Sequence, residues 1–132
     1  MIKKNTAFAN LLKKRILVLD GAMGTMIQEY DLEESDFRGN IFSKHNNDLK
    51  GNNDILCLTK TEMISKIHEK YLDSGCDIIE TNTFNANKIS QADYNTEEYC
   101  FELNKTAAAI AKKACEKYST KNKPRFVAGA LG

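Results

Sequence analysis

Arg15-Ile16-Leu17-Val18-Leu19-Asp20-Gly21-Ala22-Met23-Gly24-Thr25 is the stretch whose reading decides the fold. Four branched apolar residues in succession have the composition of a strand buried on both faces, and an acid followed by small residues and two glycines ends it abruptly. The same grammar returns as Asp77-Ile78-Ile79-Glu80-Thr81-Asn82-Thr83-Phe84, where a short apolar run passes straight into a carboxylate and then hydroxyl and amide side chains. In parallel α/β sheets and barrels, ligands bind at the C-terminal strand ends, because every helical return leaves from that rim. Neighbouring strands lie roughly 4.8 Å apart, so Asp20 and Glu80 are expected within reach of one small cationic group.

The segments between these strands have the pattern of helical returns. Upstream, Phe8, Leu11 and Leu12 within Met1 to Lys14 predict one or two turns of helix closing the bottom of the first strand. Met26-Ile27-Gln28-Glu29-Tyr30 is expected to start a short helix. Residues 31–53 are polar and glycine-containing without a sustained period, which predicts a long, partly irregular excursion above the rim; loops of that length in compact domains are usually functional or flexible. After the apolar run Asp54-Ile55-Leu56-Cys57-Leu58, Thr59 and Glu62 form a capping-box pattern, so a helix is expected from about Lys60. Met63, Ile64, Ile67, Tyr71 and Leu72 make its apolar stripe, Gly75 is placed to terminate it in the left-handed conformation, and His68 beside the stripe reads as a packed or surface histidine. A loop of Asn85, Asn87, Ser90, Gln91 and Asp93 leads to a second helix, with Asn95 and Glu98 as cap and first-turn acid and a stripe of Tyr99, Leu103, Ala107, Ile110, Ala114 and Tyr118. Beyond the single proline, Pro124, residues Arg125 to Gly132 read as a third strand. Such alternation demands parallel strands and right-handed crossovers, although not closure.

A chain of 132 residues allows one domain at most, and a net charge of +1 points to neither nucleic acid nor an anionic membrane as partner. Lys3, Lys4, Lys13 and Lys14 cluster near the start, but Asn5, Thr6 and Asn10 interrupt them and no apolar leader follows, so a soluble, cytoplasmic chain is expected. The four cysteines, Cys57, Cys76, Cys100 and Cys115, are 19, 24 and 15 residues apart, without a C-x-x-C pair or a nearby histidine. They read as reduced, packed thiols rather than metal ligands or nucleophiles.

Asp20-Gly21-Ala22-Met23-Gly24-Thr25, Asp36-Phe37-Arg38-Gly39, Asp48-Leu49-Lys50-Gly51-Asn52-Asn53-Asp54, Glu80-Thr81-Asn82-Thr83-Phe84-Asn85 and Val127-Ala128-Gly129, taken in order, resemble the N-terminal homocysteine-binding module of cobalamin-dependent methionine synthase. The resemblance covers nearly the whole chain. It implies an α/β fold, the N-terminal part of a (β/α)8 TIM-type barrel. A whole barrel needs about 250 residues, so residues 1–132 are expected to form a partial domain of about three strands and their helices, truncated after the third. The implied activity is methyl transfer to the homocysteine sulfur from methylcobalamin, recharged by methyltetrahydrofolate, with folate-, cobalamin- and reactivation domains in the same complete chain. The resemblance further implies that Asp20 and the Gly21 amide hold the amino-acid part of homocysteine, with Thr81 contributing and Glu80 beside it. Physically, the carboxylate suits the substrate ammonium, and amides bared by Gly21 and Gly24 suit its carboxylate. The family activates the thiol on zinc held by three cysteines that follow its sixth and eighth strands. Those positions lie past the third strand, so the expectation is no catalytic residue, no zinc and no cobalamin on this segment, and no activity for it alone. An unpaired third-strand edge would also favour aggregation.

Other readings compete. A betaine- or S-methylmethionine-dependent homocysteine methyltransferase shares the barrel; the segments at 36–39 and 51–54 favour the cobalamin branch. Asp20 and Glu80 at about 5 Å would suit a retaining barrel glycosidase, yet the chain has no tryptophan for a sugar platform. A non-enzymatic ligand-binding fragment with Gly21 to Gly24 as a phosphate loop lacks both the Walker lysine and G-x-G-x-x-G spacing.

Overall fold

The computed structural model describes residues 6–132. In chain order it contains α1 (Thr6–Leu12), α2 (Met23–Gln28), α3 (Glu34–Arg38), a 3-10 turn (Asn53–Ile55), α4 (Leu56–Thr59), α5 (Thr61–Asp73), β1 (Ile78–Glu80), α6 (Lys88–Ala92), a second 3-10 turn (Glu97–Tyr99), α7 (Cys100–Tyr118) and β2 (Phe126–Ala128). The expected first helix is present from Thr6; Met1 to Asn5 lie outside the described residues.

β1 and β2 pair in parallel, with Ile78 opposite Phe126, Ile79 opposite Val127 and Glu80 opposite Ala128. The Arg15–Leu19 segment lies along the other edge of β1, so the order follows the chain, but it forms only a single parallel bridge, Leu19 to Ile78. This corrects the expectation of a first strand buried on both faces: Ile16 is 87% exposed, Val18 55% and Leu19 47%. Burial on both faces requires a further strand and a covering layer, and among the described residues this segment has one neighbour only. What secures it is polar. Asp77 and Ile78 donate their N–H groups to the Val18 carbonyl at 2.7 and 3.1 Å, and Arg15 grips the Asp77 carboxylate with two bonds of 2.8 and 2.7 Å. Hydrogen bonding from Arg15, opposed by burial and supported by the Val18 N–H, holds the Asp77 carboxyl down to about 2. The described residues thus form a mixed, mostly helical α/β structure with two strands and an extended segment, rather than three full strands.

The helices cover one face of this sheet. Both stripes read from the sequence are buried or half-buried, and α5 packs along α7. Ile79 enters a cluster with Leu72, Ala111, Ala114 and Cys115; a larger cluster joins Ile64, Ile67, Leu103 and Ala107 to Phe37, Phe42 and Leu49 of the excursion. Each fully buried Leu or Ile contributes about 1.5–3 kcal/mol. On the opposite face Phe8 of α1 meets Phe126 edge to face at 5.1 Å, which seats α1 beneath the sheet.

The excursion is partly irregular, as expected: beyond α3 it runs through turns, and specific bonds hold it in place. Glu34 accepts the N–H groups of Leu49 and Lys50 at 2.9 and 2.6 Å, and Arg38 binds Glu34 at 2.6 Å while donating to the carbonyls of His45 and Asn47. Gly39 turns with φ +50, a conformation L residues rarely adopt, and a Cβ there would lie 3.2 Å from Thr59 Cβ. Three local readings are corrected. The Thr59–Glu62 box does not form: α5 begins at Thr61 without a side-chain cap, and Thr59 instead donates back to the Ile55 carbonyl as the end of α4. Asn95 does not cap α7; it sits at φ +53 and donates to the Asn47 side chain, and α7 begins at Cys100. The loop before it contains α6, capped by Asn87 on the Ser90 N–H. Gly75 ends α5 as expected, at φ +106. Among the described residues no helix is long and apolar enough to cross a membrane.

Candidate functional site

A pocket of about 530 Å³ opens where the Arg15–Leu19 segment and β1 end. Asp20 and Gly21 reach it from the first, Glu80 and Thr81 from the second, so all four residues singled out from the sequence line one cavity.

Asp20 is its electrostatic centre. Its Oδ2 accepts the Glu80 backbone N–H at 3.0 Å, while its Oδ1 is buried and has no hydrogen-bond partner among the described residues. Burial pushes its carboxyl up to about 6; the Glu80 N–H opposes that shift and the Glu80 charge adds to it. A buried, unpaired acceptor on an acid still ionised near neutrality is unfavourable alone and is relieved by a cationic donor. The Glu80 carboxylate projects to solvent and forms neither hydrogen bond nor ion pair among the described residues; it is the Glu80 main chain that meets Asp20.

Thr81 is buried and engaged. Its hydroxyl lies 2.7 Å from that of Thr83 and accepts the Ala130 N–H at 3.0 Å, and Thr83 donates to the Ala130 carbonyl at 2.8 Å. These bonds tie the end of β1 to the loop after β2. The walls also contain residues the sequence reading did not assign to a site. Asp54, 3% exposed, accepts the Asn85 N–H at 3.0 Å, and burial raises its pKa against that bond. Asn82 donates to the Asn53 carbonyl at 2.8 Å. The signal for Asp54 was the Gly51-Asn52-Asn53-Asp54 run, whose polar residues stand directly before an apolar stretch, and that for Asn82 was its place beside Thr81 at the end of β1. Behind them Asn52, Gln91 and Thr96 form a fully buried network, with Asn52 Nδ2 to Gln91 Oε1 at 2.8 Å and Thr96 Oγ1 to the same oxygen at 2.7 Å.

The described residues do not suit a catalytic zinc. All four cysteines are free and buried, and burial pushes the Cys57 thiol up to about 12 and that of Cys115 up to about 11, far from thiolate formation. No group of three or more His, Cys, Asp or Glu among the described residues is arranged to hold a metal ion. What the pocket offers is orientation of a small polar ligand.

Comparison with known proteins bears on the family and the fold. Residues 17–132 match the family described as homocysteine S-methyltransferase. The fold superposes on the homocysteine methyltransferase MmuM from Escherichia coli in its metallated form, with a TM-score of 0.70 and 23% identity over 93% of this chain and 40% of that one. The oxidized form of the same enzyme gives a TM-score of 0.68 at 23% identity, over 91% of this chain and 39% of the other. The chain therefore spans about two fifths of the length of these structures.

Proposed function

The chain belongs to the homocysteine S-methyltransferase family, and on that footing we propose that its pocket binds the amino-acid end of homocysteine as part of a methionine synthase. The observation that carries this reading is the orphaned, buried Oδ1 of Asp20, beside a turn whose glycines leave main chain facing the cavity. The substrate ammonium supplies the missing donor to Asp20, and backbone N–H groups of the Gly21–Gly24 turn meet its carboxylate. Membership of this family sets aside the glycosidase and phosphate-loop readings.

These residues orient the thiol but do not activate it, since none of them suits zinc, and the segment by itself is expected to be inactive. The remainder of the proposal rests on the resemblance of the segments at 36–39 and 51–54. It comprises a (β/α)8 barrel of which these strands are the first, zinc and cobalamin held by other parts of the complete enzyme, and methylcobalamin, recharged by methyltetrahydrofolate, as donor. Methyl transfer assays with methylcobalamin, betaine and S-methylmethionine separate the donors. Four free thiols also suit a reducing cytoplasm.

The deciding experiment is calorimetric titration of the full natural chain with homocysteine. Asp20→Ala is expected to weaken binding by about 1.5–3 kcal/mol, the range for a charged hydrogen bond, with zinc content unaltered. Equal affinity in both proteins would overturn the assignment.

A further inference from the structure

We propose that Tyr71 is a positioning residue for this site, acting on the substrate through the Gly21–Ala22 turn; the proposal rests on the homocysteine reading above. Tyr71 lies near the end of α5, packs against both apolar clusters and does not line the pocket. Its hydroxyl donates to the Ala22 carbonyl at 3.0 Å. Because the peptide unit is planar, fixing that carbonyl also fixes the Met23 N–H across the same plane, on the opposite side. The turn is thus held from behind, and its main chain reaches the pocket in one orientation.

The ring has a second effect. A Cβ on Gly21 would lie 3.1 Å from both Cε1 and Oη of Tyr71 and 3.4 Å from Cζ. Gly21 does not adopt a positive φ, in contrast to Gly39, Gly51 and Gly75. What disfavours a side chain at 21 is therefore the tyrosine ring, which a methyl group would have to push back by a few tenths of an ångström, and not the backbone conformation. The two positions form one device: a side chain at 21 would press on the ring behind the turn and shift the main chain that faces the ligand. Burial first and the charge of Asp20 second raise the pKa of the Tyr71 hydroxyl.

A mutant cycle on the full natural chain, read as homocysteine Kd and as kcat at saturating homocysteine, tests this. Tyr71→Phe keeps the ring and loses one neutral hydrogen bond; Kd should rise about 3- to 10-fold with kcat retained. Gly21→Ala should weaken binding about 10-fold or more through overpacking. The double variant Gly21→Ala/Tyr71→Leu should bind no more weakly than Gly21→Ala alone, because the obstacle to the methyl group is gone. Multiplying effects, or a Tyr71→Phe that melts earlier yet binds homocysteine like wild type, would overturn the proposal. Should Tyr71→Leu fail to fold, Tyr71→Phe decides. A wild-type chain that does not bind homocysteine overturns the substrate reading itself, a result distinct from normal wild-type binding with a multiplicative cycle.

Discussion

Lowering the pH from 7.5 to 5 should remove about 2 kcal/mol of stability through one side chain, His68. It is 0% exposed in the middle of α5, and neither ring nitrogen has a hydrogen-bond partner among the described residues. Burial pulls its pKa down to about 4 from an ordinary 6.5. The unfolded chain therefore takes up a proton first as the pH falls. The stabilising effect of keeping the ring neutral is intact above 6.5, is lost progressively below it, and is exhausted beneath about 4. At about 1.36 kcal/mol per pKa unit the full loss is about 3.4 kcal/mol, of which about 2 has gone by pH 5. Urea unfolding followed by circular dichroism at several pH values, on wild type and His68→Leu, isolates the effect. The raised pKa of Asp20 acts in the opposite sense below about 6, but it is common to both proteins and cancels in their difference. At pH 7.5 the leucine variant should be more stable by about 1–3 kcal/mol, because two unsatisfied buried nitrogens are removed, and the gap should widen by about 2 kcal/mol at pH 5. A gap independent of pH would refute the argument.

Other outcomes follow from the same geometry. Homocysteine affinity should fall about tenfold per pH unit once Asp20 protonates below about 6, measurable by calorimetry in Asp20-containing protein and absent in Asp20→Ala. Gly39→Ala should cost about 1–3 kcal/mol in urea unfolding, combining a disfavoured φ with crowding against Thr59. Asp77→Asn loses the Arg15 clamp and should destabilise by about 1–2 kcal/mol, given that Arg15 is partly solvated; hydrogen exchange should accelerate first at Ile78 and Asp20, whose N–H groups bond across to and from that segment. Gln91→Leu strands the amide of Asn52 in the core and should cost about 1–3 kcal/mol, read as a lower unfolding midpoint.

Local periodicity carried most of the helical layer. The stripes of α5 and α7 are three- and four-residue repeats, and burial follows them because a helix presents one face wherever it packs. Arg15–Leu19 shows the limit of such reasoning: composition identified an extended segment beside β1, but whether both its faces are covered depends on neighbours that residue type does not specify. Caps failed for a related reason. Asn95 has cap chemistry, yet Asn47, 48 residues away in sequence, holds its side chain, and Thr59 finds an acceptor one turn back, at the end of the 3-10 turn before its helix. At the candidate site, the meeting of Asp20 and Glu80 was legible because strand ends converge by topology, whereas Gly21 and Thr81 were singled out through the family resemblance. Asn53 and Asp54 were not, since they arrive by way of an excursion whose course is set by Glu34 and Arg38 acting over long separations.

The bonds around Thr81 have a direction as well as a position. Thr83 gives its single hydroxyl proton to the Ala130 carbonyl, so in the contact between the two threonines the proton comes from Thr81. Thr81 then has nothing left to donate, and with the Ala130 N–H already on its oxygen it retains one free lone pair at most. At this wall the pocket is an acceptor only. A ligand can turn an ammonium or a thiol hydrogen toward Thr81 but not a carboxylate, so the polarity of this hydroxyl limits which way round an amino acid can sit.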